Sequence, residues 1–204
     1  MIRVATLGVV ASLAIAPAAL AAGRDRLPYT GIEASYGRLA LDKTDAGADR
    51  LDVRATLEPG GPVPVFVSAS RVQVETDELR AFSVRYSTRS SLSRVDLGFH
   101  LGEPTTDFVP SISLVEVRGE FLGDLAILGD YRETGWAART AVRTLVRPWL
   151  EIGAFIETMF VSENATATAA AEGIFYPFRH LGVGVGWETT EGQQAVLARV
   201  RIVQ

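Results

Sequence analysis

The residues that could do chemistry are few. His100 closes the alternating run Arg94, Asp96, Gly98, His100, so it shares a strand face with a carboxylate, as a general base would require. Serines are plentiful, and a His–Ser pair would suit a hydrolase. That face is expected to point inward, where His100 serves as a hydrogen-bonded interior residue. His180, in Phe178-Arg179-His180, is expected in an exposed turn. Two distant histidines and no cysteine fall short of any usual zinc set. Gly182-x-Gly184-x-Gly186 has the outline of a phosphate loop, but it alternates with valine and leads to no helix, so it reads as a strand with small inward residues. Glu151, Glu157, Glu172 and Glu188 would make catalytic pairs only if left free. The nearby rows hold Arg139, Arg143, Arg199 and Arg201, and ion pairing across a narrow interior is the expectation. No catalytic, cofactor-binding or metal-ligating residue is assigned, and no cofactor is implied.

These rows must be carried by strands. From Gly135 to Glu157, Trp136, Ala138, Thr140, Val142, Thr144 and Val146 share one face, with Arg139 and Arg143 opposite. After Arg147-Pro148, Leu150, Ile152, Ala154 and Ile156 share a face, with Glu151, Gly153 and Glu157 opposite. Side chains reverse at every strand residue, so this is a strand pair with an apolar and a polar face. The same period appears in 29–41, 51–58, 63–75 (with a bulge expected near Ser70-Arg71), 82–87, 94–101, 167–175, 183–188 and 196–203. Breakers separate them at Pro59–Pro62 and Pro177–Leu181, and a turn is expected at Arg89–Ser93. Residues 103–131 show no clear period and are expected to form one long excursion or an extra hairpin.

The chain has 204 residues and a net charge of −4, without the basic footprint of a nucleic-acid binder. Residues 1–22 have a positive start, an apolar run, Pro17 and a small-x-small ending at Ala19-Leu20-Ala21. They are expected to be a cleaved secretory signal, leaving 23–204 as a single domain that opens with a short polar lead, Gly23–Pro28. Lysine is almost absent, and the polar strand faces carry charges of both signs among Gly, Ser and Ala. These features favour an all-β closed antiparallel up-and-down transmembrane barrel of about ten strands, with eight or twelve as alternatives. Trp136, Trp149, Tyr176 and Trp187 lie near strand ends as candidate interface aromatics.

The segments Tyr29–Tyr36, Gly135–Arg143, Trp149-Leu150-Glu151 and Arg199-Val200-Arg201-Ile202, in that order, resemble small proteobacterial outer-membrane β-barrel proteins. The resemblance spans most of the chain on loose motifs. One departure is the ending Ile202-Val203-Gln204, where an aromatic residue is usual. It implies location in the outer membrane, with outer-membrane lipid and the assembly machinery as partners and an extracellular ligand reached through loops. With the lumen expected to be plugged by charge, the function expected is structural or surface-interacting and non-enzymatic. The alternatives are a soluble periplasmic lipocalin-like barrel holding an apolar ligand and a narrow passive channel.

Overall fold

The computed structural model describes residues 27–41, 47–60, 63–76, 79–81, 84–123, 127–191 and 193–204. The expected signal segment and residues 42–46 of the first loop lie outside the described residues. Every regular element described is a strand: β1 Gly31–Leu41, β2 Gly47–Leu57, β3 Val65–Thr76, β4 Leu79–Ala81, β5 Val84–Phe99, β6 Leu101–Glu103, β7 Thr106–Gly123, β8 Ile127–Arg147, β9 Leu150–Val161, β10 Asn164–Phe178, β11 Leu181–Thr190 and β12 Gln193–Val203.

Ten of them form the wall of a closed antiparallel barrel. Sequence neighbours pair throughout, β5 pairs with β7, and β1 pairs with β12 to close the ring. The short β4 and β6 pair only with β5 and β7 and extend those ladders at the two rims. Closure leaves no strand edge along the wall, the general solution for a long sheet with no helix to cover it. Leu27, where the described residues begin, Gln204, Pro59-Gly60 and the Pro148-Trp149 and Arg179-His180 turns lie at one rim, the terminal rim. The β7–β8 and β9–β10 connections lie at the other, the distal rim.

Alternation sorts the side chains. Outward rows are apolar and exposed: Ile32, Tyr36, Leu51, Val53, Leu97, Ile112, Leu114, Trp136, Ile156, Val185, Trp187, Val196 and Val200, with Leu114 at 74%. Inward rows carry the charges together with three small apolar clusters. One holds Leu39, Ala48, Ala195 and Leu197, a second Phe66, Val109 and Ala141, and a third Ile174, Tyr176 and Val203.

The middle of the chain differs from the sequence expectation. Arg89–Ser93 is no turn but the centre of β5, so 82–87 and 94–101 belong to a single strand where described. Its run of serines contains no breaker, and β3 and β7 pair with it on both sides; it ends at Phe99, with His100 outside it and Leu101 opening β6. Residues 103–131 are no single excursion. They turn at Pro104-Thr105 on the terminal rim and then run along β7 into the first part of β8, the two longest strands at 18 and 21 residues. Pro110 is accommodated because it sits between two ladders: β6–β7 ends at Phe108 and β5–β7 begins at Ser111, so its missing N–H costs little pairing. One lost strand and one gained strand leave the count at ten. The bulge expected near Ser70-Arg71 is absent, since β3 runs in unbroken register with both neighbours. Register shifts fall instead at Phe121/Leu122, Leu145/Arg147 and Phe175/Phe178.

Gly98 faces Phe66 in register, and the Phe66 ring lies across it. A Cβ on Gly98 would stand 2.3 Å from that ring, the glycine–aromatic arrangement by which a sheet covers a missing side chain. Gly98→Val is therefore expected to push Phe66 off Val109 and Ala141 and to cost about 1–3 kcal/mol. Denaturant unfolding of the refolded protein checks this; an unchanged midpoint would mean that Phe66 has another place to go.

Candidate functional site

The lumen holds the polar chemistry. Glu151, the second residue of β9, is fully buried at 0% exposure. It accepts hydrogen bonds from Arg143 Nε at 2.8 Å, Arg201 Nη1 at 2.9 Å and the Tyr176 hydroxyl at 2.7 Å. Arg201 also pairs with Glu33 at 2.5 Å, and Arg199 pairs with Glu33 and Glu172, each at 2.8 Å. Five strands, β1, β8, β9, β10 and β12, thus contribute to one charge network near the terminal rim. Strand register explains much of it, because Glu33 sits opposite Arg201 on β12 and beside Arg199 two residues along.

A second network lies towards the distal rim. Arg94 pairs with Glu157 at 2.8 Å and Asp96 at 3.1 Å. Asp96 also accepts from the Ser68 and Ser113 hydroxyls, both at 2.5 Å. Arg50 pairs with Glu188 at 2.6 Å. Between the two networks are cavities of about 120 Å³ on the terminal side and about 210 Å³ on the distal side. They meet at a waist lined in both by Glu33, Arg54, Arg139 and Arg199.

Leu27, Pro28 and Tyr29, just ahead of β1, sit in the terminal mouth. The expected polar lead ends in two buried residues, Leu27 and Pro28. Leu27 N donates to Pro104 O at 2.7 Å, and Arg143 donates to Pro28 O at 3.1 Å. The Tyr29 hydroxyl donates to Asp107 Oδ2 at 2.7 Å, and His100 Nδ1 lies 2.7 Å from the same oxygen. The Tyr29 and His100 rings are 3.6 Å apart. Asp107 therefore clamps the lead and fixes the imidazole. The carboxylate partner of His100 is Asp107, not Asp96 on its own strand.

All eight residues named for the lumen rows project inward. Arg143, Glu151, Glu172, Arg199 and Arg201 come together, while Glu188 joins Arg50 instead. Glu157 sits opposite Arg139 in register, yet its carboxylate is taken by Arg94. Arg139 instead lies over the Phe155 ring, 3.6 Å from its centroid. Of the four aromatics, Trp136 and Trp187 are exposed on the outer face, Trp136 stacking on Phe160 at 4.3 Å. Trp149 meets Phe175 edge-on at 5.7 Å. Tyr176 is a correction: it is 0% exposed and points into the lumen at Glu151. It stands on the same alternate positions of β10 as Glu172 and Ile174, so the two-residue period itself points it inward, and only its place near the strand end spoke for an interface. Arg50, Tyr29 and Asp107 were not singled out from sequence; for Arg50 the alternation of β2 carried the signal.

Beyond the apolar rows, Glu116 on β7 bonds Arg118 and Arg132 on the outer face, at 2.5 Å each. The hydrogen bonds from these arginines hold its carboxyl below the ordinary carboxylate range.

The fold and lumen define the class as a closed ten-stranded antiparallel barrel with a charged, side-chain-filled interior. No protein-family model matches the chain, and no curated protein matches it. Among solved structures it is similar to the attachment invasion locus protein Ail of Yersinia pestis, with 12% identity over 86% of this chain and 99% of that one and a TM-score of 0.42. The translocator domain of the autotransporter NalP from Neisseria meningitidis matches with 8% identity over 97% of this chain and 95% of that one, at a TM-score of 0.49. A KdgM porin matches with 10% identity over 84% and 99%, at a TM-score of 0.41.

Proposed function

We propose that this chain is a non-enzymatic outer-membrane barrel, plugged along its lumen, that acts through the surface it presents at its distal rim. The observation that carries this reading is the ion-pair network from Glu33 through Arg201 to Glu151 and Arg143, which bridges strands around the lumen, with the Pro28 carbonyl held against it at the terminal mouth. A bore that stays open to solutes would not be crossed in this way, and a barrel of about ten strands has little width to spare. The outward apolar rows and exposed tryptophans support lipid as the medium around the wall. The charged interior argues against a lipocalin-like carrier of an apolar ligand.

Orientation follows from the rule that barrels of this kind keep short turns and both termini on the periplasmic side. The distal β7–β8 hairpin, with Arg118, Tyr131 and Arg132 exposed, then faces outwards. The natural chain has no cysteine, so single cysteines report cleanly. In intact cells a membrane-impermeant maleimide is expected to label R132C and to leave R179C unlabelled. Reversed labelling would overturn the orientation, and a barrel that is soluble without detergent would overturn the membrane reading. Planar-bilayer recordings are expected to give no discrete conductance; stable openings would favour the narrow channel instead.

A further inference from the structure

We propose that the waist of the lumen is a binding site for a small oxyanion, chelated between Arg54 and Arg139. The register opposes each of these arginines to a carboxylate that another group has claimed. Arg139 faces Glu157, but both Glu157 oxygens accept from Arg94, at 3.2 and 2.8 Å. Arg54 faces Glu33, but Glu33 is held by Arg199 and Arg201. The nearest carboxylate to Arg54 is Asp96 at 3.9 Å, which already accepts from Ser68, Ser113 and Arg94.

Two guanidiniums are therefore left short of negative charge within the lumen. Arg139 makes no ion pair among the described residues; Glu157 and Glu172 act on its charge only from beyond pairing distance, and its guanidinium lies over the Phe155 face. Arg54 Nε is buried without a hydrogen-bond partner. A charge in such a setting is costly until something pairs with it. Both side chains line both cavities. Each cavity is several times the roughly 30 Å³ share of one water, which leaves room for an anion of several heavy atoms. The planar fork of arginine matches carboxylate and phosphate oxygens in pairs. An oxyanion at the waist would complete the plug with charge that the chain does not supply there.

The site is tested on the full chain refolded in detergent, by calorimetric titration with inorganic phosphate and, separately, acetate at constant ionic strength. Saturable one-to-one binding of either supports the site, and their ratio distinguishes a phosphate from a carboxylate preference. Binding is expected to weaken at least tenfold in R139Q and in R54Q and to be unchanged in R118Q on the outer face. Saturable binding of neither anion, or R139Q and R54Q binding like the unaltered protein, overturns it. R139Q is expected to fold, since it forfeits no ion pair. Should it not, R139K keeps the charge and loses the fork, and undiminished binding by it would equally overturn chelation. The site does not rest on the plugged reading: a bilayer conductance would remove the plug and leave the site, and absent anion binding would do the reverse.

Discussion

Glu151→Ala is expected to lower the unfolding free energy by about 3–5 kcal/mol, the usual effect of breaking a buried ion pair from one side. The carboxylate is fully buried and is the shared acceptor of Arg143, Arg201 and Tyr176. Its removal affects the donors unequally. Arg201 keeps Glu33 and Glu172. Arg143 keeps only the Pro28 carbonyl and the Tyr29 ring, so a buried guanidinium is left without an anion. Glu151→Gln should fall between, because one amide oxygen still accepts while the charge is gone. The partner substitution makes the test specific. Glu151→Leu combined with Arg143→Met removes both charges together, and replacing a buried pair by apolar groups of similar volume is often neutral or better. The double variant should therefore recover most of the loss. Unfolding midpoints in detergent, read from the compact band that boiling abolishes, decide it. A loss in Glu151→Ala below about 1 kcal/mol would place the network in the range of solvated surface pairs, and water would then fill the lumen where the plug is proposed.

The same residues mark how far the sequence could be read. Faces were legible because a two-residue period survives wherever register is unbroken, and Arg139, Arg143, Glu151 and Arg201 were read as one inward set from that period. Pairing within the lumen was only half legible. Register fixes which residues stand opposite, but long arginines reach one or two strands further. That is how Arg94 of β5 takes Glu157 of β9. Tyr176 was misplaced because an aromatic near a strand end was weighed above an alternation that already set it beside Glu172 and Ile174, and Arg89–Ser93 because serine clusters resemble turns unless both neighbouring strands are known. Residues 103–131 hid β7 and the first part of β8 because outward Glu116, Arg118 and Arg132 lie beyond the apolar rows. There alternation no longer separates apolar from polar, and the pattern fades although the strands continue. The fold class depended on the sum of many strands and tolerated these errors. The site depended on particular contacts and did not.

Ile112→Arg tests the other face. Ile112 is 56% exposed and lies midway along the outward row Phe108, Pro110, Ile112, Leu114 of β7. Its register neighbours are Leu97 on β5 and Ala138 on β8, so nothing polar stands beside it. In a bilayer an arginine there meets hydrocarbon near mid-depth, and a loss of about 2–4 kcal/mol is expected. In a water-soluble barrel the same change would replace an exposed apolar side chain by a charged one, with little or no loss of stability and a gain in solubility. The two media therefore predict opposite outcomes from one substitution. Arg71, already outward on β3 between Val53 and Ser93, supplies the depth control. Natural arginine is tolerated where the apolar row ends, so Ser93→Arg beside it should cost far less than Ile112→Arg. Equal costs at the two depths would mean that the wall senses no hydrocarbon gradient, and the exposed rows would then need an occupant other than lipid. A steep difference would assign the rows from Ile112 to Val185 and Val200 to lipid. The ion pairs behind them would then hold together a barrel whose outer face contributes little in water.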